Sequence, residues 1–292
     1  MVLAVGLIVL AAVVIVGARL LVGSGAVGDF LADYSGEYPL PDTEAVGIPT
    51  WASWSHFLNA FFLVLIIRSG WQVRTERKPP AMWTRDNSRW PTTRNPPRKI
   101  SMTLFLHLGL DLLWLVNGLV FVILLFASGH WVRIVPTSWE VFPNALSAAL
   151  QYASLDWPID NGWLNYNSLQ QLAYFVTVFI AAPLAAVTGV RMSGFWSVRW
   201  TRLSRMYPIE IARAVHFPVM LYFVLFLIAH VTLVFATGAL RNLNHMYGGQ
   251  DAPNWVGAIV FGVSLVVVAG GWVAARPVVI APIAGLLGKV GR

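Results

Sequence analysis

Two histidines, His216 and His230, lie in one long apolar stretch, Arg213 to Gly238, RAVHFPVMLYFVLFLIAHVTLVFATG. It is long enough to cross a bilayer as a single helix. An imidazole in hydrocarbon must find partners for its polar nitrogens, and a ring that donates one N–H locally keeps a lone pair that suits a metal. At about 100° per residue, a gap of fourteen positions returns to within about 40° of the starting azimuth and separates the rings by roughly 21 Å along the axis. The two rings therefore share one stripe, one near each membrane face. Either each is a hydrogen-bonded packing residue, or each supplies a ligand to a group held between helices, as inward-facing side chains of bundles do.

The elements that would position these rings are legible in composition. The chain has 292 residues, 57% hydrophobic and 11% charged, with a mean hydropathy of +0.66. A soluble domain carries about a quarter charged residues, so the expected fold class is an all-α integral membrane helical bundle. Cysteine is absent, which excludes disulfides, zinc–thiolate sites, Cys-ligated iron–sulfur clusters and covalent haem attachment in this chain. Six apolar segments follow one another: Val2 to Val22, Trp51 to Ile67, Ile100 to Ala127, Ser168 to Val190, Arg213 to Gly238 and Trp255 to Ala274. Each is near the roughly 20 residues a spanning helix needs. The first has no basic n-region and reads as an uncleaved anchor.

The net charge of +7 raises the question of nucleic acid, but the basic residues sit in loops, where membrane topology accounts for them. The loop Gly23 to Pro49 has five acids, Asp29, Asp33, Glu37, Asp42 and Glu44, and no Lys or Arg. The next, Arg68 to Lys99, has nine basic residues with Trp71, Trp83 and Trp90 interleaved, and prolines at 79, 80, 91, 96 and 97 that forbid a regular helix. Arg191, Arg199, Arg202, Arg205 and Arg213 follow the fourth segment, and Arg276, Lys289 and Arg292 the sixth. With alternating spans these fall on one side and only Arg19, Arg133 and Arg241 on the other, so both termini are expected in the cytoplasm. The outer loop Ser128 to Asn167 contains a weak helical pattern over Trp139 to Leu155, suited to covering the bundle or docking a partner. Pro277 to Val290 is apolar but too short to span, and should lie along the inner surface or against a partner helix.

Depth along these segments sorts the remaining histidines. His56 enters its helix at the outer face, and His107 sits about two turns into an outward-running helix, nearer the inner face. His216 is inner and His230 outer, which gives two cross-bundle pairs, His56 with His230 and His107 with His216. Two bis-imidazole haems stacked across a membrane require this arrangement, because the two axial positions of a haem iron face opposite ways. His130 and His245 fall in outer loops, where a solvated or hydrogen-bonded ring is the default. Asp111, one turn from His107, could orient that ring, take up protons at a quinone site, or be a neutral acid bonded to a neighbouring helix. Asn117 and Gly118 are explained by helix packing, and Arg191 and Arg199, which could pair with haem propionates, are accounted for by topology.

The order of His56, His107, His216 and His230, with the strings HFLNAFFLVLIIRSG, NSLQQLAYFVTVFIAAPLAAVTGVRMS and RAVHFPVMLYFVLFLIAHVTLV, resembles a known family. These are the dihaem cytochrome b membrane subunits of nickel–iron hydrogenases and formate dehydrogenases, in particular the thiosulfate reductase-like subgroup that accompanies molybdopterin enzymes. The resemblance covers about Trp51 to Gly238. It implies a four-helix dihaem core over 51–238, preceded by an anchor helix and outer loop over 1–50 and followed by a sixth span and tail over 239–292. It further implies two haem b groups with His56/His230 and His107/His216 as iron ligands, and electron transfer between membrane quinone and an extrinsic redox subunit, a molybdopterin oxidoreductase, in a bacterial cell membrane. The chain would then be an electron-transfer subunit and not catalytic alone. The extra N-terminal helix, the sixth helix and the long loops depart from the family pattern, and the added N-terminal span should invert the core. The alternatives are a self-sufficient dihaem superoxide or quinone oxidoreductase, and a cofactor-free membrane transporter or assembly factor using histidines as proton relays.

Overall fold

The computed structural model describes residues 2–40, 46–88, 92, 95–157 and 161–291. Asp42, Glu44, Arg89, Trp90, Pro91, Arg94 and Arg292, which contribute to the charge and proline pattern of the loops, lie outside the described residues.

The chain is mostly helical, and six helices are long and apolar enough to cross a membrane. It is a multi-pass membrane protein. The first span is α1 (Val2–Val22), followed by the short α2 (Gly25–Asp33). The second span, α3 (Thr50–Thr75), runs two turns past the apolar segment, because nothing before the Pro79–Pro80 pair breaks the helix. After β1 (Met82–Arg85) and β2 (Lys99–Ser101) comes the third span, α4 (Met102–Ala127), capped by Ser101, whose Oγ accepts from the Leu104 N–H at 3.1 Å. A 3₁₀ turn (His130–Arg133) leads to α5 (Val141–Ser154), within the stretch expected to form a helix outside the membrane.

The fourth span is α6 (Ser168–Phe175), a π turn (Val176–Ala181) and α7 (Ala182–Met192). Asn167 and Gln170 close a capping box at its start. Pro183 lacks the N–H that an α-helix would use just beyond the π turn, so the widened rungs lie where the ladder is already interrupted. A short α8 (Thr201–Met206) precedes the fifth span, α9 (Ile209–Ala236), which carries both His216 and His230. Then come α10 (Ala239–Leu243), a second π turn (Asn244–Gly248), the sixth span α11 (Val256–Ala274), α12 (Pro277–Leu287) and β3 (Gly288–Gly291).

Close packing joins α3 to α4, and the fourth span to α9. Backbone approach between these two pairs is sparse. Side chains bridge them in one layer, where Ala181, Val219 and Phe223 pack with Leu63, Ile67 and Trp114. The sixth span lies on α3, where Gly271 admits the Phe61 ring at a distance no Cβ would allow. By contrast α1 meets the rest of the chain chiefly through α5, with the Arg19 Nε donating to Ser154 O at 2.9 Å.

The loops expected to share a side do meet at a common end. At one end β1 is the central strand of an antiparallel sheet ordered β2-β1-β3, with Trp83 opposite both Ile100 and Val290. The C-terminal segment therefore packs on its own chain at this end. Trp83 packs with Met102, Ile280 and Ala284 and donates its Nε1–H to Ala284 O at 2.9 Å. This sheet was not expected, since the prolines of the first basic loop exclude helix without specifying strand. At the opposite end the loops after α2, α4 and α10 interlock. Gly47 N donates to Trp163 O, Ser168 N to Gly36 O, and the buried Arg133 donates to Gly47 O and Gly162 O.

Candidate functional site

The four histidines meet in twos between the helix pairs. The His56 ring on α3 lies 6.1 Å, centroid to centroid, from the His230 ring on α9, with planes inclined 57°. The His107 ring on α4 lies 6.5 Å from the His216 ring on α9, inclined 83°. Both pairs use α9, so the two levels are separated by roughly 21 Å along its axis.

At the His107/His216 level the same local device occurs on both sides. Ser69, fully buried on α3, donates its hydroxyl hydrogen to Ile66 O at 3.1 Å and has its Oγ 2.9 Å from His107 Nδ1. Thr188 on α7 donates to Leu184 O at 2.6 Å and has its Oγ1 2.7 Å from His216 Nδ1. A hydroxyl has one hydrogen to give, and here its own helix takes it. The oxygen must then accept from the imidazole, which fixes the proton on Nδ1 and leaves the Nε2 lone pair free. A glycine follows each hydroxyl residue. A Cβ on Gly70 would stand 3.1 Å from His107 Cε1, and one on Gly189 would stand 3.6 Å from His216 Cε1. Each ring is thus seated by a hydroxyl–glycine dipeptide on its closest neighbouring helix, within its own helix pair. The two halves present one imidazole each to the gap between them.

The His56/His230 level is lined by aromatics. Phe226, one turn before His230, stacks on its ring at 5.6 Å, and Tyr174 meets it edge-on at 6.2 Å. Tyr247, from the π turn after α10, meets His56 edge-on at 5.8 Å. Burial raises the Tyr247 hydroxyl pKa, offset in part by a bond to Ser264. The Nδ1 of His56 is buried with no hydrogen-bond partner among the described residues, so this ring carries an unused polar atom in an apolar surround.

These features can be tested against a bis-imidazole iron. A metal–imidazole bond of about 2.0 Å plus about 1.1 Å from nitrogen to ring centre puts two trans ligands' centroids about 6.2 Å apart. The observed 6.1 Å and 6.5 Å meet that value. A ring bound through one nitrogen turns about that bond, so the inclinations of 57° and 83° are both accessible to trans ligands. Among the described residues no three or more His, Cys, Asp or Glu side chains converge as ion ligands. Each level offers two protein donors, so any metal there must bring its remaining ligands with it, as a haem does. In donor number and ring separation the two pairs suit that group.

Asp111 Oδ2 stands 3.6 Å from His107 Nε2, too far for a hydrogen bond, so the acid does not occupy that lone pair. Asn117 donates to Ser55 O at 3.1 Å across the α3–α4 contact. Arg191 donates to Tyr207 O at 2.7 Å and covers the Trp196 ring, while Arg199 is exposed. His130 lies apart from the pairs, bonded to Ser128 Oγ at 3.0 Å and edge-on to Trp51; burial lowers its pKa. His245 is buried and not solvated. Its Nε2 lies 2.8 Å from Asp251 Oδ1, and Arg241 holds both oxygens of that carboxylate at 2.6 Å and 2.9 Å. The Arg241 guanidinium foremost, then His245, hold Asp251 below the usual carboxylate range, and Arg241 is itself raised by the bond.

Sequence reasoning placed the four rings but missed Ser69, Gly70, Thr188, Gly189 and the flanking Tyr174, Phe226 and Tyr247. The hydroxyl–glycine dipeptides, at RSGW and VTGV, become visible once one asks what each imidazole's second nitrogen bonds to. The chain matches no protein-family model, no curated protein and no solved structure.

Proposed function

We propose that this chain is a membrane-embedded dihaem cytochrome b subunit that carries electrons between membrane quinone and an extrinsic oxidoreductase partner, the sequence resemblance pointing to a molybdopterin enzyme. The observation that carries the reading is the pair of facing imidazoles at each of two levels, 6.1 Å and 6.5 Å apart. His56 with His230, and His107 with His216, would each hold one haem b, which supplies reversible one-electron chemistry when bound. The chain's own part is to fix the rings. Ser69 and Thr188 keep the proton on Nδ1, so that Nε2 is available as a ligand. Phe226, Tyr174 and Tyr247 surround the other pair with apolar surface and limit water there.

The test is a dithionite-reduced minus oxidised spectrum of the purified chain, with pyridine haemochrome quantitation. A b-type band and two haems per chain are expected. No visible band would overturn the cytochrome reading in favour of a cofactor-free transporter, and one haem per chain would overturn the two-site model. Co-purification of a stoichiometric redox subunit separates the subunit reading from a self-sufficient quinone or superoxide oxidoreductase.

A further inference from the structure

The connection between the fourth and fifth spans, residues 193–207, takes no part in seating the four histidines, and its surface is independent of whether they hold haem. It leaves one span at Met192 and enters the next at Ile209. Fifteen or so residues joining two spans at the same end cannot stray far from the bilayer surface. The segment is also folded. The Trp196 Nε1–H donates to Ser204 Oγ at 2.9 Å, Trp196 packs edge-on against Trp200 at 5.3 Å, and the Arg191 guanidinium covers its ring at 4.8 Å. Asn95 donates to both Gly194 O and Trp196 O, which pins the segment to the first basic loop.

What this platform displays is two chemistries interleaved. Arg199, Arg202 and Arg205 are exposed, and among the described residues none of their guanidinium groups has an ion-pair or hydrogen-bond partner. No acid occurs between Arg191 and Pro208; the first is Glu210. Beside them Phe195, Trp200 and Met206 are 63%, 48% and 81% exposed. A shallow depression is lined by Arg199, Trp200, Thr201, Arg202 and Leu203. In water such apolar exposure would be unfavourable. At the boundary of headgroup and acyl chain it is not, because phosphates lie level with the guanidinium groups and hydrocarbon lies level with the rings.

We propose that residues 193–207 form a binding surface for anionic phospholipid, with Arg199, Arg202 and Arg205 taking the headgroup phosphate and Phe195, Trp200 and Met206 resting on the acyl chains. Topology explains why arginines lie at this end, but it does not require an ordered platform or apolar side chains exposed between them. An acidic protein would match the charge equally, but it would have to displace the headgroup layer that the segment already adjoins. Three guanidinium groups, each adding to attraction for an anionic surface, should together strengthen binding on the order of a hundredfold.

The experiment is a lipid titration of the purified, delipidated full chain, read by native mass spectrometry, with phosphatidylglycerol and phosphatidylcholine in separate arms and inorganic phosphate as competitor. Wild-type protein should retain phosphatidylglycerol in preference to phosphatidylcholine, and phosphate alone should not displace it. The Arg199→Gln, Arg202→Gln, Arg205→Gln variant should lose on the order of a hundredfold in that affinity. A triple Arg→Lys variant should keep most of it, and Trp200→Ala should weaken it with all the charges present. Because charge removal could disturb insertion, the Lys and Trp200→Ala variants carry the test if the Gln variant fails to fold. Equal retention of the two lipids, displacement by phosphate, or undiminished binding in the Trp200→Ala variant would overturn the proposal. So would capture of an acidic protein by this face with no preference among lipids.

Discussion

Thr188→Val tests the seating of His216 directly. Valine keeps the shape of threonine at a position only 1% exposed, so little packing changes, but the oxygen 2.7 Å from His216 Nδ1 is lost. The Nδ1–H then loses this acceptor and is left with the Ala185 carbonyl alone, a cost of up to about 1–3 kcal/mol. A ring that turns to recover the loss, or changes tautomer, withdraws Nε2 from the gap. Removing such an outer partner of a ligand typically costs about 10- to 100-fold in metal affinity, which is about 1.4–2.7 kcal/mol and agrees with the cost of the lost acceptor. The lost bond also makes the imidazole less basic, which favours the reduced state. If about 1 kcal/mol of the bond is felt only by the oxidised form, the one-electron potential of that centre rises by about 40 mV. The assay is a redox titration followed optically, with haem quantitation. One of two components should shift upward and lose haem on washing while the other, roughly 21 Å away, stays put. Thr188→Ser should restore the wild-type titration. Two components unmoved in Thr188→Val, with full haem content, would refute the argument that this hydroxyl fixes the ligand.

Other expectations concern separate parts of the molecule. His56→Ala removes one ring of a 6.1 Å pair and should halve the haem content measured by pyridine haemochrome, leaving the His107/His216 component spectrally intact. Trp83→Ala removes the side chain that joins β1, α4 and α12, at a cost of about 3–5 kcal/mol to that packing. The C-terminal segment should then become susceptible to limited proteolysis while the spans stay protected. Asp251 is held below its ordinary range by Arg241 and His245, so it contributes stability that is present above about pH 4 and is lost as pH falls further. Hydrogen exchange of the 239–251 segment should therefore speed up on acidification below about pH 4, and Asp251→Asn should exchange fast at neutral pH with that dependence removed.

The six spans were legible because membrane insertion is written residue by residue: a span needs length and apolarity, and both are local. The depth of each histidine followed from the same reading, since position along a helix is depth. The three-stranded sheet was not legible. Its central strand, Met82–Arg85, is four residues long, and its partners lie at Lys99–Ser101 and Gly288–Gly291, so the pairing depends on where distant ends are delivered. Of the two states open to His245 in a loop, the hydrogen-bonded one holds, and its burial was not legible for a related reason. That burial is set by Asp251, Arg241 and Trp163, the last about eighty residues earlier in the chain. The Ser69 and Thr188 hydroxyls were overlooked because each looks, alone, like a helix residue bonding its own preceding turn, which it also does.

That double duty bears on the choice between a relay and a ligand. A histidine that passes protons through a membrane must release a proton from one nitrogen as it gains one on the other. His107 and His216 are poorly arranged for this. Their Nδ1 protons are directed at oxygens whose own hydrogens are committed to Ile66 O and Leu184 O, so a proton leaving Nδ1 has no onward acceptor without breaking a helix-side bond. An electron-pair donor is subject to the opposite demand: one nitrogen must stay protonated and fixed so that the other presents a lone pair in a constant direction. Two rings held this way from opposite helix pairs, 6.5 Å apart, satisfy that demand from both sides of the gap. The same hydroxyls that would obstruct a relay at His107 and His216 suit a pair of metal ligands, which supports the proposed electron-carrying function over the transporter alternative at that level.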